Sequence, residues 1–374
     1  EIGVIGDAIA AAYDVNLAVD ARAATQIERQ AVRWAAQFVG YAPDAVGAFT
    51  SGGTVSNTTA LAAARERALP GSRKEGLAGR RAALYASADA HYSVTRAGEM
   101  LGIGSGNVRK IAIDGRRRMV PEALAAAIDE DRANGVTPIA AIGTAGTTLT
   151  GAIDPLDAIA EVCAEREVWF HVDGAYGLPA AAVLPERFRG LERADSLAID
   201  AHKWLYLPKA CGVVLVRRPD DLRRAFSHHE GYLHQAAEEV NAVDMTLEYS
   251  RPFRALKFWL AFRAHGAGQF REAIARNLAE ARLLAEAAAA HADLEVFGEP
   301  ELSVVPFRHL PASGDVDGHN RRLAAALVED GRVYVASATI DGAVYQRPCF
   351  VNFRTTDEDV LALVDVAREL GAAL

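Results

Sequence analysis

Cysteine is scarce in this sequence. Only three cysteines, Cys163, Cys211 and Cys349, occur among 374 residues, and they stand far apart. A disulfide framework needs several paired cysteines, and a cysteine-based zinc site needs ligands at short spacing, so both are excluded. We therefore predict that each cysteine is a small buried apolar residue.

Long apolar runs are also missing. No apolar stretch reaches the roughly 18 residues that a membrane-spanning helix needs, and no basic region followed by an apolar one opens the sequence. The chain is 51% hydrophobic and 24% charged, which is typical of a globular protein. We expect a soluble, cytoplasmic protein that has no membrane partner.

Positive charge is in deficit. The 40 Lys and Arg residues are outnumbered by 49 Asp and Glu residues, which gives a net charge of -9. Nucleic-acid binding depends on clustered Lys and Arg, and the only basic cluster is Arg116 to Arg118. We interpret this cluster as a solvated loop and expect no nucleic-acid partner.

The order of patterns along the chain predicts an α/β protein with two domains. Residues 1–40 have helical periodicity, with a capping-box pattern from Thr25 to Glu28. Residues 41–291 alternate short, continuous apolar runs with amphipathic stretches, which is typical of a mainly parallel sheet covered by helices. A long helical pattern near its end has a predicted break at Gly266. Residues 292–374 predict a small α+β domain.

A turn rich in glycine and hydroxyl residues precedes one strongly helical stretch. The segment "TSGGTVSNTTAL" begins at Thr50, and its glycines allow backbone N–H groups to approach an anion at a helix N-terminus. Ser51 and Thr54 add further donors, so a phosphate-binding turn is predicted. The alternative is an ordinary capped helix start. The "GIGSG" segment at Gly102 has the wrong spacing for a dinucleotide fingerprint and is interpreted as a loop.

Two charged residues end apolar runs that read as buried strands. Asp173 ends the run in "VWFHVDGAYG", and Lys203 follows the run in "SLAIDAHKW". In parallel sheets these strand ends form the ligand crevice. Asp173 is either a site residue or the N-cap of the next helix, and Lys203 either pairs with an acid or is an amine that attacks a carbonyl. A phosphate-binding turn, an acid and a lysine together are what pyridoxal phosphate requires.

The motifs, taken in order, resemble those of the pyridoxal-phosphate-dependent group II amino acid decarboxylases, which include aromatic-L-amino-acid, glutamate and histidine decarboxylases. The segments that carry the resemblance are "SGGTVSNTTAL", "ADAHYSVTRAGEMLG", "GTAGTTLTGAIDPL", "WFHVDGAYG", "DAHKWLYLPKACGVVLVR", "RPFRALKFWLAFR" and "YQRPCFVNFRTTDEDV". The resemblance covers nearly the whole chain. It implies an aspartate aminotransferase-like fold, with a large domain built on a seven-stranded, mainly parallel sheet and a small C-terminal α+β domain.

The resemblance also implies catalytic roles for three residues. Lys203 matches the lysine that forms the Schiff base with the cofactor, and Asp173 matches the partner of the pyridine nitrogen. His91 matches the histidine that stacks on the cofactor ring and helps with protonation and substrate binding. Ala175 matches the small residue on the other face of the ring.

The remaining cofactor-binding residues follow from the same resemblance. They are expected near the phosphate or close to the ring, and they are Gly53, Thr54, Thr148, Asp200 and His202. The implied reaction is decarboxylation of an L-amino acid to an amine and CO2. Alternatives on the same cofactor are an aldehyde synthase, which couples decarboxylation to oxidative deamination, and a carbon–carbon lyase. A cofactor-binding protein without catalysis is a further alternative.

One segment departs from the family pattern. Decarboxylases of the family carry a tyrosine in a catalytic loop, and aldehyde synthases carry phenylalanine there. In this chain the matching segment is "AAEEVNAVDM", in which Ala242 stands at the equivalent position. Tyr232 or a nearby histidine is the candidate to take over the role of the family's tyrosine. The same region holds a group of possible metal ligands, which we interpret as a solvated or substrate-gating loop without metal: His228, His229, Glu230, His234, Glu238 and Glu239.

The resemblance implies a homodimer with its active site at the subunit interface. Family members usually carry a further N-terminal helical segment that wraps the partner subunit. We expect the chain, which begins at Glu1, to start after that segment. The substrate side chain is not predicted.

Overall fold

A computed structural model of the chain describes residues 1–17, 21–228 and 242–374. By its internal contacts the chain divides into two units. The large unit comprises Glu1–Ala145 and Ile153–Arg271, and the small unit comprises Gly146–Ala152 and Glu272–Leu374. The small unit therefore includes a short excursion from the first half of the chain and begins its main part upstream of residue 292.

The large unit is built on a seven-stranded sheet. Its strands are β1 Val46–Thr50, β2 Ala82–Ser87, β3 Val108–Ile111, β4 Thr137–Thr144, β5 Trp169–Asp173, β6 Ser196–Asp200 and β7 Gly212–Val216. Their order across the sheet is β1-β7-β6-β5-β4-β2-β3. The five strands from β3 to β6 in this order are parallel, whereas β7 runs antiparallel to both of its neighbours. This confirms the predicted mainly parallel sheet.

Continuous apolar runs became fully buried strands, as predicted. Every residue of β2, β5, β6 and β7 is buried. Leu84 of β2, Ile142 of β4 and Val214 of β7 belong to one hydrophobic core, which also includes side chains of helices. The large unit's helices are α1 Ile2–Tyr13, α2 Ala23–Val39, α3 Gly53–Ala68, α4 Ser72–Glu75, α5 Tyr92–Met100, α6 Pro121–Ala133, α7 Leu156–Glu165, α8 Ala201–Trp204 and α9 Pro219–Phe226.

A long helix, α10 (Ala255–Ala289), contributes residues to both units. Its backbone leaves the helical region at Gly266, where φ is 70° and ψ is 159°. A positive φ of this kind favours glycine. The predicted break in the helical pattern is therefore confirmed.

The small unit contains a four-stranded antiparallel sheet. Its strands, β8 Leu294–Val296, β9 Phe307–His309, β10 Ala336–Ile340 and β11 Ala343–Arg347, lie in the order β10-β11-β9-β8. Two helices, α11 Val316–Asp330 and α12 Asp357–Ala373, pack with this sheet around Phe307, Leu323 and Val364. A capping box between Thr356 and Asp359 begins α12.

The predicted capping box at Thr25 is wrong. Helix α2 already begins at Ala23, and its N-cap residue makes no side-chain cap bond. The Glu28 carboxylate instead accepts a hydrogen bond from the Phe49 N–H at 3.1 Å. It also pairs with Arg251, whose two terminal nitrogens lie 2.6 and 2.5 Å from its oxygens. Because Glu28 is buried, it bonds to tertiary partners and ties α2 to β1.

The interpretation of Arg116 to Arg118 as a solvated loop is wrong for Arg117. Arg117 is buried and makes a bidentate ion pair with Asp89, with distances of 2.6 and 2.7 Å. Arg118 pairs locally with Asp114 at 2.7 Å. The Arg117 guanidinium therefore stabilises the segment that leads to His91.

Two of the three cysteines match the prediction of small buried residues. Cys163 and Cys211 are buried, whereas Cys349 is only partly buried. Within residues 1–17, 21–228 and 242–374, no helix combines the length and the apolar character needed to cross a membrane.

The buried Glu28–Arg251 pair gives a stability prediction. Replacing Arg251 by methionine leaves the Glu28 carboxylate buried without its cation, so we expect a loss of about 3–5 kcal/mol in the free energy of unfolding of the large unit. Urea denaturation followed by tryptophan fluorescence measures this loss.

The double variant Glu28→Gln/Arg251→Met removes the unpaired charge and is expected to recover part of the loss. Arg166→Met is a matched control, because Arg166 pairs with an exposed carboxylate of Asp129 and such pairs contribute at most about 1 kcal/mol. If Arg251→Met unfolds at the same urea concentration as the wild type, the buried pair does not stabilise the fold in this way.

Candidate active site

Antiparallel pairing with β7 brings the ends of β1 and β6 to one edge of the sheet. Gly212, the first residue of β7, pairs with both Thr50 and Asp200, the last residues of those strands. A Cβ at Gly212 would lie 2.6 Å from the Thr50 hydroxyl oxygen and 2.7 Å from the Gly52 Cα. Only glycine therefore allows this close approach.

The turn that follows β1 forms a cradle at the N-terminus of α3. Bonds from the N–H groups of Val55 and Ser56 to the Gly52 carbonyl begin the helix, and they leave the N–H groups of Gly53 and Thr54 ahead of the first intrahelical bonds. A Cβ at Gly53 would lie 3.0 Å from the Ala175 Cβ and 3.1 Å from Asp200 Oδ2. Free N–H groups and the helix dipole favour an anion such as a phosphate here.

Lys203 lies in the short helix α8, directly after β6. Its amine nitrogen is 3.2 Å from Asp200 Oδ2, and its side chain is 41% exposed whereas that of Asp200 is 4% exposed. Burial raises the pKa of Asp200, and the nearby Lys203 and His202 oppose this rise. The lysine is therefore positioned by a buried carboxylate but is accessible to a small molecule.

His202 lies against the same carboxylate. Its Nε2 is 3.7 Å from Asp200 Oδ2, and its Nδ1 accepts a hydrogen bond from the Cys211 N–H at 3.2 Å. Burial lowers the pKa of His202. The neutral ring therefore carries its proton on Nε2, on the side that faces Asp200.

Asp173 ends β5 and is buried. Its Oδ2 accepts a hydrogen bond from the Asn57 amide at 2.9 Å, and its Oδ1 accepts one from the Ala175 N–H at 3.2 Å. These two donors hold the carboxylate at the carboxyl edge of the sheet, the edge at which α/β sheets of this kind bind ligands. Asp173 does not cap a following α-helix, because the next helical turn is the 3-10 helix Leu178–Ala182.

His91 is the N-cap of α5 and is partly buried. Its Nδ1 accepts a hydrogen bond from the Ser93 N–H at 3.3 Å, so the neutral ring carries its proton on Nε2. Burial lowers the pKa of His91, and the charges of Asp173, Lys203 and Asp200 all act on it. These residues therefore share one electrostatic environment.

Two functional candidates were missed in the sequence, Asn57 and His171. His171 Nε2 lies 3.0 Å from Asn57 Oδ1, so the two residues form a second layer behind Asp173. Spacing gave a usable signal in both cases. Asn57 stands one helical turn after Gly53, and His171 stands two residues before Asp173, on the same face of the strand.

The structure brings most of the predicted site residues together. Residues gathered at this edge are Gly53, His91, Asp173, Ala175, Asp200, His202 and Lys203. Thr54 is the second residue of α3. Thr148 belongs to the small unit, where its carbonyl accepts a hydrogen bond from Arg347 at 3.1 Å.

The segment that departs from the family pattern falls mostly outside the described residues. His229, Glu230, Tyr232, His234, Glu238 and Glu239 all lie there. Ala242 begins the 3-10 helix Ala242–Met245. In the part of the chain that is described, no group of His, Cys, Asp and Glu residues could hold a metal ion.

The arrangement fits pyridoxal phosphate on several independent features. The α3 cradle suits a phosphate, Asp173 suits a protonated ring nitrogen, and the accessible amine of Lys203 suits an aldehyde. A buried oxygen, Asp200 Oδ1, has no hydrogen-bond partner among the described residues. It is available to a donor on a ligand bound beside the cradle.

Comparison with known proteins also points to pyridoxal phosphate as the cofactor. The family model "Pyridoxal-dependent decarboxylase conserved domain" matches residues 2–310. An aromatic-L-amino-acid decarboxylase of Bacillus atrophaeus is 34% identical over 97% of this chain and 77% of its own length. An L-2,4-diaminobutyrate decarboxylase of Rhizobium meliloti is 35% identical over 94% of this chain and 71% of its own length.

Solved structures of other proteins have the same fold. The chain superposes on Oryza sativa TDC, solved with PLP and tryptamine, with a TM-score of 0.92 and 28% identity over 99% of this chain and 81% of that one. It superposes on 4-hydroxyphenylacetaldehyde synthase of Rhodiola rosea with a TM-score of 0.89 and 26% identity over 99% of this chain and 80% of that one.

Burial of His171 gives a pH prediction. Burial lowers its pKa from 6.5 to about 4, so between these values the unfolded chain binds a proton that the folded protein does not. Stability is therefore lost as the pH falls from 6.5 to 4. Relative to the non-titrating variant His171→Gln, we expect the wild type to lose up to about 3 kcal/mol across this range.

Urea unfolding at a series of pH values measures that difference. Asp154, whose pKa burial raises to about 7, titrates in the same range with the opposite sign. It is present in both proteins, so its effect cancels in the comparison. If the difference in the free energy of unfolding between the wild type and His171→Gln does not change between pH 6.5 and 4, His171 is protonated in the folded protein over this range.

Proposed function

Because the chain belongs to the family of pyridoxal-dependent decarboxylases, we propose that it removes the carboxylate of an L-amino acid as CO2 and releases the corresponding amine. Its cofactor is pyridoxal phosphate, and its class is that of the carboxy-lyases that use this cofactor. We also propose the domain boundaries that the sequence predicts, after residues 40 and 291.

The observation that carries this proposal is the grouping of charges at one edge of the sheet. An accessible amine at Lys203 lies 3.2 Å from a buried carboxylate, and a second buried carboxylate, Asp173, ends the neighbouring strand. The anion cradle of α3 reaches the same edge. Decarboxylation with this cofactor needs these three kinds of group together.

Each group has a distinct part in holding the cofactor. The N–H groups of Gly53 and Thr54 would bind its phosphate, and Asp173 would pair with its protonated ring nitrogen. Ala175 offers a small surface to the ring. When bound, pyridoxal phosphate accepts the electron pair that remains on the substrate's α-carbon when the carboxylate leaves.

Lys203 is the amine to which the cofactor would attach. A buried carboxylate at 3.2 Å orients it, while its partial exposure leaves the nitrogen open to a carbonyl. His202 holds its proton on Nε2 beside the same carboxylate. Asp200 therefore positions both basic groups next to the cradle.

His91 supplies an N–H group without a positive charge. Because Ser93 occupies Nδ1 and burial lowers the pKa of the ring, the neutral form with the proton on Nε2 predominates at pH 7. Such a group can donate a hydrogen bond to a substrate oxygen. Thr148 is proposed as a further cofactor neighbour on the resemblance alone.

The substrate side chain is a separate question. The two relatives described above are named for aromatic amino acids and for L-2,4-diaminobutyrate, at nearly equal identity. An aldehyde synthase is a second candidate activity, because the Rhodiola rosea enzyme shares the fold over almost the whole chain. A carbon–carbon lyase on the same cofactor is a further alternative. A non-catalytic cofactor-binding protein is disfavoured, since Lys203, Asp173 and His91 are all present.

We also propose a homodimer with its active site at the subunit interface, and a cytoplasmic location. The homodimer rests on the family resemblance. The location rests on the composition of the sequence.

The test is incubation of the purified protein with pyridoxal phosphate and a panel of L-amino acids, including L-tryptophan, L-2,4-diaminobutyrate and L-glutamate. We expect at least one substrate to give CO2 and amine in equal amounts. Lys203→Ala should abolish this turnover, and borohydride reduction followed by mass spectrometry should find the cofactor on Lys203 in the wild type only.

The products separate the alternatives. Aldehyde with ammonia and hydrogen peroxide, formed with consumption of O2, would favour the aldehyde synthase, and cleavage of another carbon–carbon bond would favour the lyase. A wild-type protein that binds no pyridoxal phosphate would overturn the proposal. Substantial turnover by Lys203→Ala would show that the attachment residue is wrong.

Asp173→Asn is expected to keep the fold and lose at least about a hundredfold in kcat, which is the order found when one preorganised electrostatic partner is removed. An amide cannot hold the ring nitrogen in its protonated form as a carboxylate does. Steady-state kinetics measures the loss.

Asp131→Asn is the matched control, because Asp131 is a buried carboxylate that pairs with Arg109 of the edge strand β3, three strands away from β5 in the sheet order. That variant is expected to lower stability and leave kcat unchanged. Near-normal kcat for Asp173→Asn would mean that another group stabilises the ring nitrogen.

A further inference from the structure

A continuous chain of hydrogen bonds lies behind Asp173. Trp169 Nε1 is 2.8 Å from Ser196 Oγ, which is 2.8 Å from His171 Nδ1. His171 Nε2 is 3.0 Å from Asn57 Oδ1, and Asn57 Nδ2 is 2.9 Å from Asp173 Oδ2. Every member is at most 6% exposed. Bulk water therefore does not reach these side chains.

The fold places these residues in register. Positions 169, 171 and 173 alternate along β5 and so point to one face of the strand. Ser196, the first residue of β6, pairs directly with His171. Asn57 approaches from α3, one turn after the cradle glycine. Helix α3 and strands β5 and β6, which all contribute residues to the site, therefore each supply members of this hydrogen-bond chain.

The Asp173 end of this hydrogen-bond chain fixes its direction. An indole N–H can only donate, and an ionised carboxylate can only accept. Because Trp169 donates to Ser196, the serine hydroxyl is free to donate to His171 Nδ1. Each intermediate residue then accepts one bond and donates the next.

The tautomer of neutral His171 follows from this direction. With Nδ1 accepting from Ser196, the single ring proton lies on Nε2 and is donated to Asn57 Oδ1. Burial lowers the pKa of His171 to about 4, so the ring stays neutral across the physiological range. A charged ring would place a full positive charge in the buried interior, which desolvation disfavours.

The orientation of Asn57 is fixed in the same way. Its amide nitrogen donates to Asp173 and, at 3.0 Å, to Ser93 Oγ. The reverse orientation would place Oδ1 against a carboxylate oxygen, where neither atom carries a hydrogen. Since the Ser93 N–H bonds to His91, the one amide connects Asp173 with the segment that holds His91.

We propose that Trp169, Ser196, His171 and Asn57 form a one-way hydrogen-bond relay that positions Asp173 as an acceptor for the cofactor's ring nitrogen. This inference rests on the proposed function. These are positioning residues, since they act only through Asp173. The relay ends at a carboxylate that can only accept, so the Asn57 amide presents its nitrogen to Asp173 and its oxygen to His171 Nε2.

The first test reads the relay directly. Protein with 15N-labelled histidine, prepared with and without added pyridoxal phosphate, is measured by long-range 1H–15N NMR. His171, assigned through the loss of its signal in His171→Gln, should carry its proton on Nε2 in both samples from about pH 5 upward. A proton on Nδ1, or a doubly protonated ring at neutral pH, would overturn the relay whatever the enzyme's activity.

The second test measures the effect on Asp173. Ser196→Ala and Trp169→Phe each remove one link, and Asn57→Leu removes the final donor. We expect Asn57→Leu to weaken pyridoxal phosphate binding about tenfold, as for loss of one hydrogen bond to a charged group. Ser196→Ala and Trp169→Phe should weaken it less. When binding of pyridoxal phosphate is plotted against pH, it weakens on the acid side of the curve (the acid limb). In all three variants we expect the acid limb to lie at higher pH than in the wild type.

Ser87→Ala is the matched control. Ser87 is a fully buried strand serine whose hydroxyl has no hydrogen-bond partner among the described residues. Its variant should keep both the dissociation constant and the acid limb of the wild type. Equilibrium dialysis of folded protein, checked by circular dichroism, gives both quantities without measuring turnover.

The outcomes separate the relay from the proposed function. If Ser196→Ala and Trp169→Phe fold and bind pyridoxal phosphate with the wild-type acid limb, the relay is overturned while decarboxylation stands. If either variant does not fold, Asn57→Leu and the NMR measurement decide. If the wild type binds no pyridoxal phosphate, the proposed function fails, and the proton position on His171 alone decides the relay.

Discussion

The site depends on the antiparallel strand β7, which lies between β1 and β6. Because Gly212 pairs with both Thr50 and Asp200, the end of β1 and the end of β6 reach the same edge of the sheet. The cradle at Gly53 and the amine at Lys203 follow directly from those two ends. A parallel strand in this position would start at the opposite edge and could not set Gly212 between them.

The chemistry of the site follows from how its charges are buried. Asp200 and Asp173 are buried carboxylates with different partners: Asp200 faces Lys203 and His202, whereas Asp173 faces neutral donors. A buried carboxylate without a cation favours a cationic ligand. The edge of the sheet therefore has one carboxylate that orients the protein's own amine and another that is left for a cationic group of the cofactor.

Strand ends were predictable from sequence because an apolar run that stops at a charge is a local signal. Asp173 and Lys203 were found in this way, and the mainly parallel sheet followed from the same runs. Asn57 and His171 were not found, because their importance depends on how α3 packs against β5. Their spacing from Gly53 and Asp173 places them on the same faces of α3 and β5 as those residues, but it does not record that packing.

The error at Thr25 and Glu28 has a related cause. The capping-box pattern specifies residue types and spacing, but it does not specify burial. Glu28 bonds to Phe49 and Arg251, which are distant in sequence, and these bonds are stronger than a local cap would be. The short excursion Gly146–Ala152 in the small unit was equally invisible, since its contacts are made with residues beyond 271.

The buried thiol of Cys211 has a consequence for chemical selectivity. Thiolates add to aldehydes, and Cys211 directly precedes Gly212 and bonds through its N–H to His202. Burial raises the pKa of this thiol to about 12, so it stays protonated and a poor nucleophile. An aldehyde that enters beside the cradle thus meets an amine without a competing sulfur nucleophile from this position.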